Sequence, residues 1–332
     1  MSGTRIAGLD VLRGVAIGLV MLRHAFPVPF AGAGVVGVVM FFALSGYLIT
    51  GVLTRELDRT GRVDLRRFYA RRARRLVPAL VALVAGVVLV TVTLDPLGDR
   101  AELGKTVLVA LTWTGNLPFG HASDATFHLW TLATEEQFYL FWPAVLAIAF
   151  ARRRVGTAVL VVAGLCLAAC LATVLWLRED PDLAYALPTS WALCFVVGAA
   201  TRLLQHRLSV PSYAVPLALA GLAFLSVVPL RGHALTYLAG GPAIAALTAV
   251  LLLSWRTWTD VSAPAVRAVC WVGTVSYGAY LWNYPLTLWL HPSLGDAAGP
   301  VAALVTLVAA AVSWHLVERP WQARPAREPT PA

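Results

Sequence analysis

The feature that most constrains this chain is an arginine and a histidine on one face of its first apolar segment. The segment reads GLDVLRGVAIGLVMLRHAFP (8–27), and ten residues separate Arg13 from His24. Eleven steps of ~100° return a helix to within ~20° of its starting direction, so both side chains share a face, roughly 16 Å apart. Ionisable groups in hydrocarbon are costly unless they are paired or face a cavity. The spacing therefore predicts that both side chains have a function.

Composition indicates a polytopic membrane protein. Of the 332 residues, 59% are hydrophobic and 13% are charged, and the mean hydropathy is +0.73. No soluble domain of this size requires so many apolar stretches of helix length. We predict an all-α membrane bundle of about ten transmembrane helices. The predicted spans are 9–27, 35–54, 76–94, 127–150, 157–177, 188–204, 213–230, 235–254, 270–290 and 300–317.

The distribution of basic residues predicts the topology. Twenty-five of the 26 basic residues are arginines, and the formal net charge is +9. With ten spans, 20 basic residues fall in segments on the side of the N-terminus and four on the opposite side, a bias typical of cytoplasmic loops. An eleventh span at 105–117 would place Arg152, Arg153 and Arg154 outside, so this short stretch is expected to be re-entrant or interfacial. Both termini are predicted to be cytoplasmic, in a multi-pass plasma-membrane protein that binds no nucleic acid.

The domain prediction is simple. Residues 1–320 form one transmembrane domain with an uncleaved first span, and 321–332 form a short disordered cytoplasmic tail. The four cysteines lie in apolar segments and are interpreted as small buried hydrophobes without disulfides. Neither they nor the histidines show metal-ligand spacing, so no metal is expected.

An arginine cluster begins the third span. Arg71, Arg72, Arg74 and Arg75 lie within FYARRARRLVP (68–78). They could serve only as a topology anchor at lipid headgroups. Four arginines in five residues exceed that need, and guanidinium groups suit bidentate contacts with phosphate. The cluster therefore predicts a binding site for a phosphorylated cytosolic ligand.

Further polar side chains lie at membrane depth in the fourth and ninth spans. In the fourth span, His128 and Glu135 are seven residues apart and are expected to share a helix face, with Glu136 pointing ~100° away from Glu135. Asn283, in the ninth span, could bind substrate or bond another helix. Ser45, in the second span, is interpreted as a packing residue because the sequence places no base near it. The candidate substrate-binding residues are Asp10, His128, Glu136, Gln137, Tyr139 and Asn283.

Together these segments resemble the acyltransferase 3 family of integral-membrane acyltransferases. Its members include bacterial polysaccharide O-acetylases, Nod-factor acetylases and macrolide acyltransferases. The resemblance runs nearly end to end, although many relatives have a histidine at the position of Asn283 and some carry a C-terminal hydrolase-like domain that is expected to be missing here. It rests on LDVLRG (9–14) with His24, VVMFFALSGYLIT (38–50), FYARRARRLVP (68–78), HLWTLATEEQFYLFWP (128–143), SYGAYLWNYP (276–285) and VERP (317–320).

The resemblance implies transfer of an acyl group from acyl-CoA, with acetyl-CoA as the default, to a hydroxyl of a carbohydrate or glycosylated acceptor such as a macrolide. The arginine cluster would hold the CoA phosphates, and the pantetheine arm would pass Arg13. His24 would be the general base, and Glu135, alone or with His128, would orient the base or the acceptor. An acyl-histidine intermediate is a second route. Two other interpretations stay open. A transporter or flippase would also use buried Arg, His and Glu, and a structural protein would need none of them for chemistry.

Overall fold

The computed structural model describes residues 6–117 and 122–323, which form helices and connecting loops without a β-strand. Single turns of 3-10 helix occur in several loops, the longest at Asp124–Leu129 and Pro181–Ala186. Short π-helical segments precede α9 and follow α12, at Thr236–Gly240 and Trp314–Glu318. The helices are α1 (Ala7–Ala25), α2 (Ala33–Thr60), α3 (Leu65–Thr93), α4 (Leu103–Thr112), α5 (Trp130–Ala151), α6 (Val155–Trp176), α7 (Ala192–Leu204), α8 (Ala214–Val227), α9 (Gly241–Trp255), α10 (Pro264–Thr274), α11 (Ser276–Leu294), α12 (Ala298–Ser313) and α13 (Arg319–Ala323).

The all-α prediction is confirmed for the described residues. Within residues 6–117 and 122–323, five helical segments are long and apolar enough to cross a membrane. The last of them contains α11 to α13, and α7 and α8 are shorter apolar helices. The count of ten spans and the orientation of the termini stay predictions. The five segments are Ala33–Thr60, Leu65–Thr93, Val155–Trp176, Thr236–Trp255 and Ser276–Ala323.

Two predicted spans differ from the helices that form. Helix α3 begins at Leu65, where Asp64 caps it by accepting a hydrogen bond from the backbone N–H of Arg67. The arginine cluster is therefore part of the helix and not of a loop before it. The predicted span 270–290 is divided by a break at Val275, between α10 and α11. The first turn of α11 thereby faces the interior of the bundle.

The stretch predicted to be re-entrant or interfacial forms the short helix α4. Its ten residues extend roughly 15 Å. A helix that crosses the hydrocarbon core needs about 20 residues. The length of α4 thus favours the ten-span count over an eleventh span at 105–117.

Helix α2 lies at the centre of the bundle and packs against α1, α7 and α9. Its contact with α7 depends on glycines on both helices. A Cβ atom on Gly46 would fall on the backbone of Phe195, and one on Gly198 would fall on the backbone of Ala43. In a membrane, helices associate through van der Waals packing rather than the hydrophobic effect, and small residues let their backbones approach closely.

The predicted tail lies largely outside the described residues. Residues 321–323 are the last turn of α13, and 324–332 are not described. Arg5, which was counted among the cytoplasmic arginines, also lies outside the described part of the chain.

Candidate active site

A cavity of about 630 Å³ extends into the bundle along α2. The residues of α2 that line it run from Arg55 to Val38, a distance of roughly 25 Å along the helix. Helices α1, α3, α5, α7 and α11 contribute the remaining walls. Apolar side chains such as Leu9, Phe41 and Leu132 form much of the lining. The cavity is long enough to accommodate an extended ligand.

Cations surround one end of this cavity, which we call the arginine-rich end. Its five cations come from α2, α3, α7 and the end of α9, and Glu135 is the only acidic residue in the described lining. Among the residues the structure describes, no carboxylate lies within 4 Å of the guanidinium groups of Arg55, Arg75 or Arg256. Such an end attracts anionic ligands. Its cationic members are Arg55, Arg72, Arg75, Arg202 and Arg256.

The predicted arginine cluster does not act as one unit. Arg72 and Arg75 line the cavity, whereas Arg71 faces a separate pocket of about 240 Å³ and pairs with Glu56 at 3.9 Å. Arg74 lines neither cavity. The reason is that successive helical residues turn by ~100°, so four neighbours on α3 cannot share one direction.

Arg72 is moreover engaged by α5. Its Nη2 donates to Glu136 Oε1 at 2.7 Å, and its guanidinium carbon lies 3.3 Å from the ring centroid of Tyr139. The carboxylate of Glu136 thus neutralises Arg72 and joins α5 to α3. The predicted role of Glu136 in substrate binding stays a prediction. Glu136 does point away from Glu135, as the helix geometry indicated.

Gln137 also has a structural contact rather than a position at the cavity. Its amide exchanges two hydrogen bonds with Asn116, at 2.9 and 3.0 Å, and Asn116 bonds Thr134 as well. This amide pair ties the segment after α4 to α5. The predicted substrate contact of Gln137 stays a prediction.

Glu135 accepts two hydrogen bonds inside the cavity. The hydroxyls of Ser45 and Tyr139 both donate to its Oε1. The interpretation of Ser45 as a packing residue is thus incomplete, because the fold places a carboxylate from α5 against it. The sequence could not show this contact, which joins residues 90 positions apart.

His24 lies beyond the cavity, near the end of α1. Its Nδ1 is 2.6 Å from Oδ1 of Asn283, whose amide nitrogen donates to Thr306 Oγ1 at 3.1 Å. Since the carbonyl oxygen of Asn283 accepts from Nδ1, that nitrogen carries the proton and Nε2 keeps its lone pair. The ring is therefore held in the tautomer that a general base requires. Asn283 orients His24 and was not predicted in this role.

His128 lies close to His24 but not where helix periodicity placed it. It belongs to the 3-10 turn before α5, so it does not share a helix face with Glu135. Its Nε2 bonds the backbone carbonyl of Leu281 at 3.1 Å, and its buried Nδ1 has no hydrogen-bond partner among the residues that the structure describes. The rings of His24 and His128 lie 5.1 and 5.4 Å from that of Tyr284.

Glu135 and His24 have different hydrogen-bond partners in the described part of the chain, and the predicted role of Glu135 in orienting the base or the acceptor stays a prediction. Glu135 bonds Ser45 and Tyr139, whereas His24 bonds Asn283. Arg13 lines the cavity, and its Nη1 lies 3.8 Å from Oδ1 of Asp10. Asp10 is buried beside Arg13 and does not line the cavity itself. Asp10 partly neutralises Arg13, and its predicted role in substrate binding stays a prediction.

Loops at the end opposite the arginine-rich end meet near His128. Arg231 makes a bidentate ion pair with Asp182, at 2.8 and 2.9 Å, and its guanidinium carbon lies 4.8 Å from the ring centroid of Tyr185. The hydrogen bonds that Arg231 donates to Asp182 raise the pKa of Arg231. These loops position aromatic side chains over this end of the bundle.

Several site residues were missed by the sequence prediction. Arg55 and Arg256 were counted only as topology signals, and the aromatic residues of α11 were not singled out. Their recurrence at 277, 280 and 284 on one helix stripe was the available signal. In the described ranges, no group of three or more His, Cys, Asp or Glu side chains could hold a metal ion.

Comparison with known proteins identifies the family. The sequence profile of the acyltransferase 3 family, described as an acyltransferase domain, matches residues 6–317. The chain therefore belongs to this family of acyltransferase domains. The predicted resemblance is thereby confirmed. No solved structure gives a significant match.

Relatives share much of the sequence. A putative peptidoglycan O-acetyltransferase of Bacillus subtilis, YrhL, is 30% identical over 95% of this chain and 54% of its own length. The peptidoglycan O-acetyltransferase OatA of Listeria monocytogenes is 31% identical over 95% of this chain and 55% of its own length. A putative O-acetyltransferase of Staphylococcus aureus is 37% identical over 42% of this chain and 24% of its own. The chain spans about half the length of the first two proteins.

Proposed function

We propose that this protein is an O-acyltransferase of the plasma membrane that moves an acetyl group from acetyl-CoA to a hydroxyl of a carbohydrate or glycosylated acceptor. One observation carries the proposal most directly. Tyr280 of α11 lines the cation-lined cavity, whereas Asn283 and Tyr284, about one turn further along α11, contact His24. The oriented ring of His24 therefore lies about one helix turn beyond the cavity.

The donor would enter at the arginine-rich end. Its phosphates would pair with Arg55, Arg75 and Arg256, whose guanidinium groups lack carboxylate partners among the described residues. Bidentate donors of this kind suit phosphate oxygens. The pantetheine arm would then run along α2, past Arg13 and the hydroxyl cluster around Glu135, and carry the thioester toward His24.

The acceptor would approach His24 from the opposite end. Nε2 of His24 would remove the proton as the acceptor oxygen attacks the thioester carbon. Collapse of the tetrahedral intermediate would break the C–S bond, and the CoA thiolate would take the proton from His24. A neutral imidazole suits proton transfer near neutral pH. The relatives' names make soluble peptidoglycan fragments the first acceptor to test, and a macrolide the second.

Transfer of label from acetyl-CoA tests the proposal. Vesicles containing the protein would receive acetyl-labelled CoA and each acceptor, and acylated product and released thiol would be measured. We expect His24→Ala to lower both by about 100-fold or more, the usual contribution of a general base. His291→Ala is the matched control, because His291 is an exposed histidine of α11 outside the cavity. Equal rates for wild type and His24→Ala would remove the base from the mechanism.

The same assay separates the enzyme from a transporter. A transporter moves its substrate without covalent change, whereas an acyltransferase labels the acceptor without any ion gradient. Vesicles treated with an ionophore should therefore keep the full rate of labelling. Acceptor movement that stops with the ionophore, without labelling, would favour the transporter.

A further inference from the structure

The donor cavity and the His24 site are not continuous in this structure. The cavity lining includes Tyr280 and Thr131 but not His24, Asn283 or Tyr284. These last three residues form the separate group around the His24 ring. A thioester in the cavity would thus reach a wall before it reached the base.

Tyr280 is that wall. Its side chain lines the cavity, and its ring centroid lies 5.5 Å from that of His128, which is not among the lining residues. His128 in turn faces the ring of Tyr284, which contacts His24. Tyr280, Asn283 and Tyr284 are spaced i, i+3 and i+4 and therefore lie on one face of α11. A single helix stripe carries both the wall and the residues that hold the base.

Hydrogen bonds fix Tyr280 across the passage. Its hydroxyl donates to the backbone carbonyl of His128 at 2.7 Å and lies 2.5 Å from Thr131 Oγ1. Thr131 also donates to the carbonyl of His128 at 3.1 Å. Both partners lie where the 3-10 turn meets α5, so the ring is tied to the opposite wall of the passage.

We propose that Tyr280 is a specificity-determining gate, which keeps the donor cavity closed to water from the far end until an acceptor is present. The inference rests on the proposed function for the identity of the donor. With the gate shut, the thioester is sheltered. With it open, the thioester carbon meets the acceptor hydroxyl beside His24.

The gate has a chemical consequence. If water reached the thioester, its oxygen would bond to the acyl carbon, the C–S bond would break and the thiolate would take a proton. Acetic acid and free CoA would result, and no acceptor would be modified. Excluding water from a reactive intermediate is a general task of closed active sites. A failed gate should therefore turn transfer into hydrolysis.

Thiol labelling from each side of the membrane tests the gate without relying on activity. The reporter is Val38→Cys, because Val38 is the lining residue of α2 farthest from the arginine-rich end and cysteine is close to valine in size. The four native cysteines are replaced by alanine. A small charged methanethiosulfonate is added to right-side-out or inside-out vesicles, and the labelling rate is followed by mass spectrometry.

While Tyr280 is intact, we expect the reporter to react only with reagent that is added on the arginine-rich side. Tyr280→Ala should raise its labelling rate from the opposite side by tenfold or more. Tyr277→Ala is the matched control, since Tyr277 lines the cavity one turn earlier on α11 and bonds the carbonyl of Leu76. The gate would be overturned if the labelling rate from the opposite side were the same in the Tyr280→Ala variant as with Tyr280 intact. It would also be overturned if Tyr277→Ala raised that rate by the same amount.

A second variant covers the case in which Tyr280→Ala does not fold. Tyr280→Phe keeps the ring but loses both hydrogen bonds, so we expect a smaller rise in opposite-side labelling and a higher ratio of acetyl-CoA hydrolysis to transfer. Unchanged values of both would contradict the gate. Protection of the reporter by acetyl-CoA tests the donor separately. If acetyl-CoA did not slow labelling of the reporter, but Tyr280→Ala still raised labelling from the opposite side, acetyl-CoA would be rejected as the ligand of the cavity. The gate would still stand.

Discussion

Arg74 and Arg75 are neighbours in the sequence, yet only Arg75 lines the cavity. A hydrogen bond to a charged group contributes about 1.5–3 kcal/mol, which corresponds to a tenfold or larger change in binding. We therefore expect Arg75→Gln and Arg256→Gln each to raise the KM for acetyl-CoA by about tenfold. Arg74→Gln should leave it nearly unchanged. Initial rates at several donor concentrations measure this, and an equal rise for all three would show that the cations act only through overall charge.

The hydrogen bond between Asn283 and His24 should control catalysis more than binding. Removing the amide in Asn283→Ala leaves Nδ1 without the acceptor that fixes the tautomer, and a hydrogen bond is worth about 1 kcal/mol or more. We expect kcat to fall by about tenfold with little change in the KM for acetyl-CoA. Asn283→Asp keeps an oxygen acceptor and should restore much of the rate. A fall in donor affinity alone would place Asn283 in donor binding instead.

For single residues, the sequence identified the positions of polar side chains in the bundle more successfully than it identified their contacts. The spacing of Arg13 and His24 identified two polar positions because helix geometry is local. The contacts of Glu135 with Ser45, and of Arg72 with Glu136, join residues on different helices. No spacing within one segment encodes such contacts. The roles proposed for the site residues stay predictions.

Between elements, the contact of α2 with α7 depends on glycine. The Cβ of Gly46→Ala or Gly198→Ala would fall on backbone atoms of the facing helix. Overpacking of this kind costs about 1–3 kcal/mol or more. We expect each variant to lower the Tm of the protein in detergent by several degrees.

Gly164 provides the control for this prediction. It lies on α6 with no neighbouring atom within 4 Å of an added Cβ. Gly164→Ala should leave the Tm unchanged or raise it slightly, because alanine favours helix by up to ~1 kcal/mol. Equal losses at Gly46 and Gly164 would mean that the close approach of α2 and α7 does not limit stability.

Element boundaries were predicted best where hydropathy changes. Helix α1 ends two residues from its predicted limit. The break at Val275 was missed because α10 and α11 are both apolar, so no change in hydropathy marks it. The early start of α3 was missed because the arginines were interpreted as a loop. Arginine, alanine and leucine are in fact strong helix formers.

For the whole molecule, the distribution of arginine predicts that both termini lie in the cytoplasm. Cysteines introduced at Glu102 and Gly115, which flank α4 and are exposed, should both label from the outer side. A short helix that does not cross the membrane requires this result. Labelling from opposite sides would establish an eleventh span and reverse the position of all later loops.

The family and the all-α fold followed from the sequence, because apolar segments and ordered motifs extend along the whole chain. The cavity did not, since its lining comes from α1, α2, α3, α5, α7 and α11. The break before α11 and the close approach of α2 and α7 were not predicted either. Both are properties of packing, and neither is visible in any one segment.

The central claim is that donor and acceptor reach His24 from opposite ends of the bundle. The most direct test supplies labelled acetyl-CoA to only one face of sealed vesicles and a membrane-impermeant acceptor, a soluble peptidoglycan fragment or a macrolide glycoside, to only the other. We predict labelled acceptor when the donor is on the arginine-rich side, and none in the reverse arrangement. Labelling only when both substrates share one side would contradict this account.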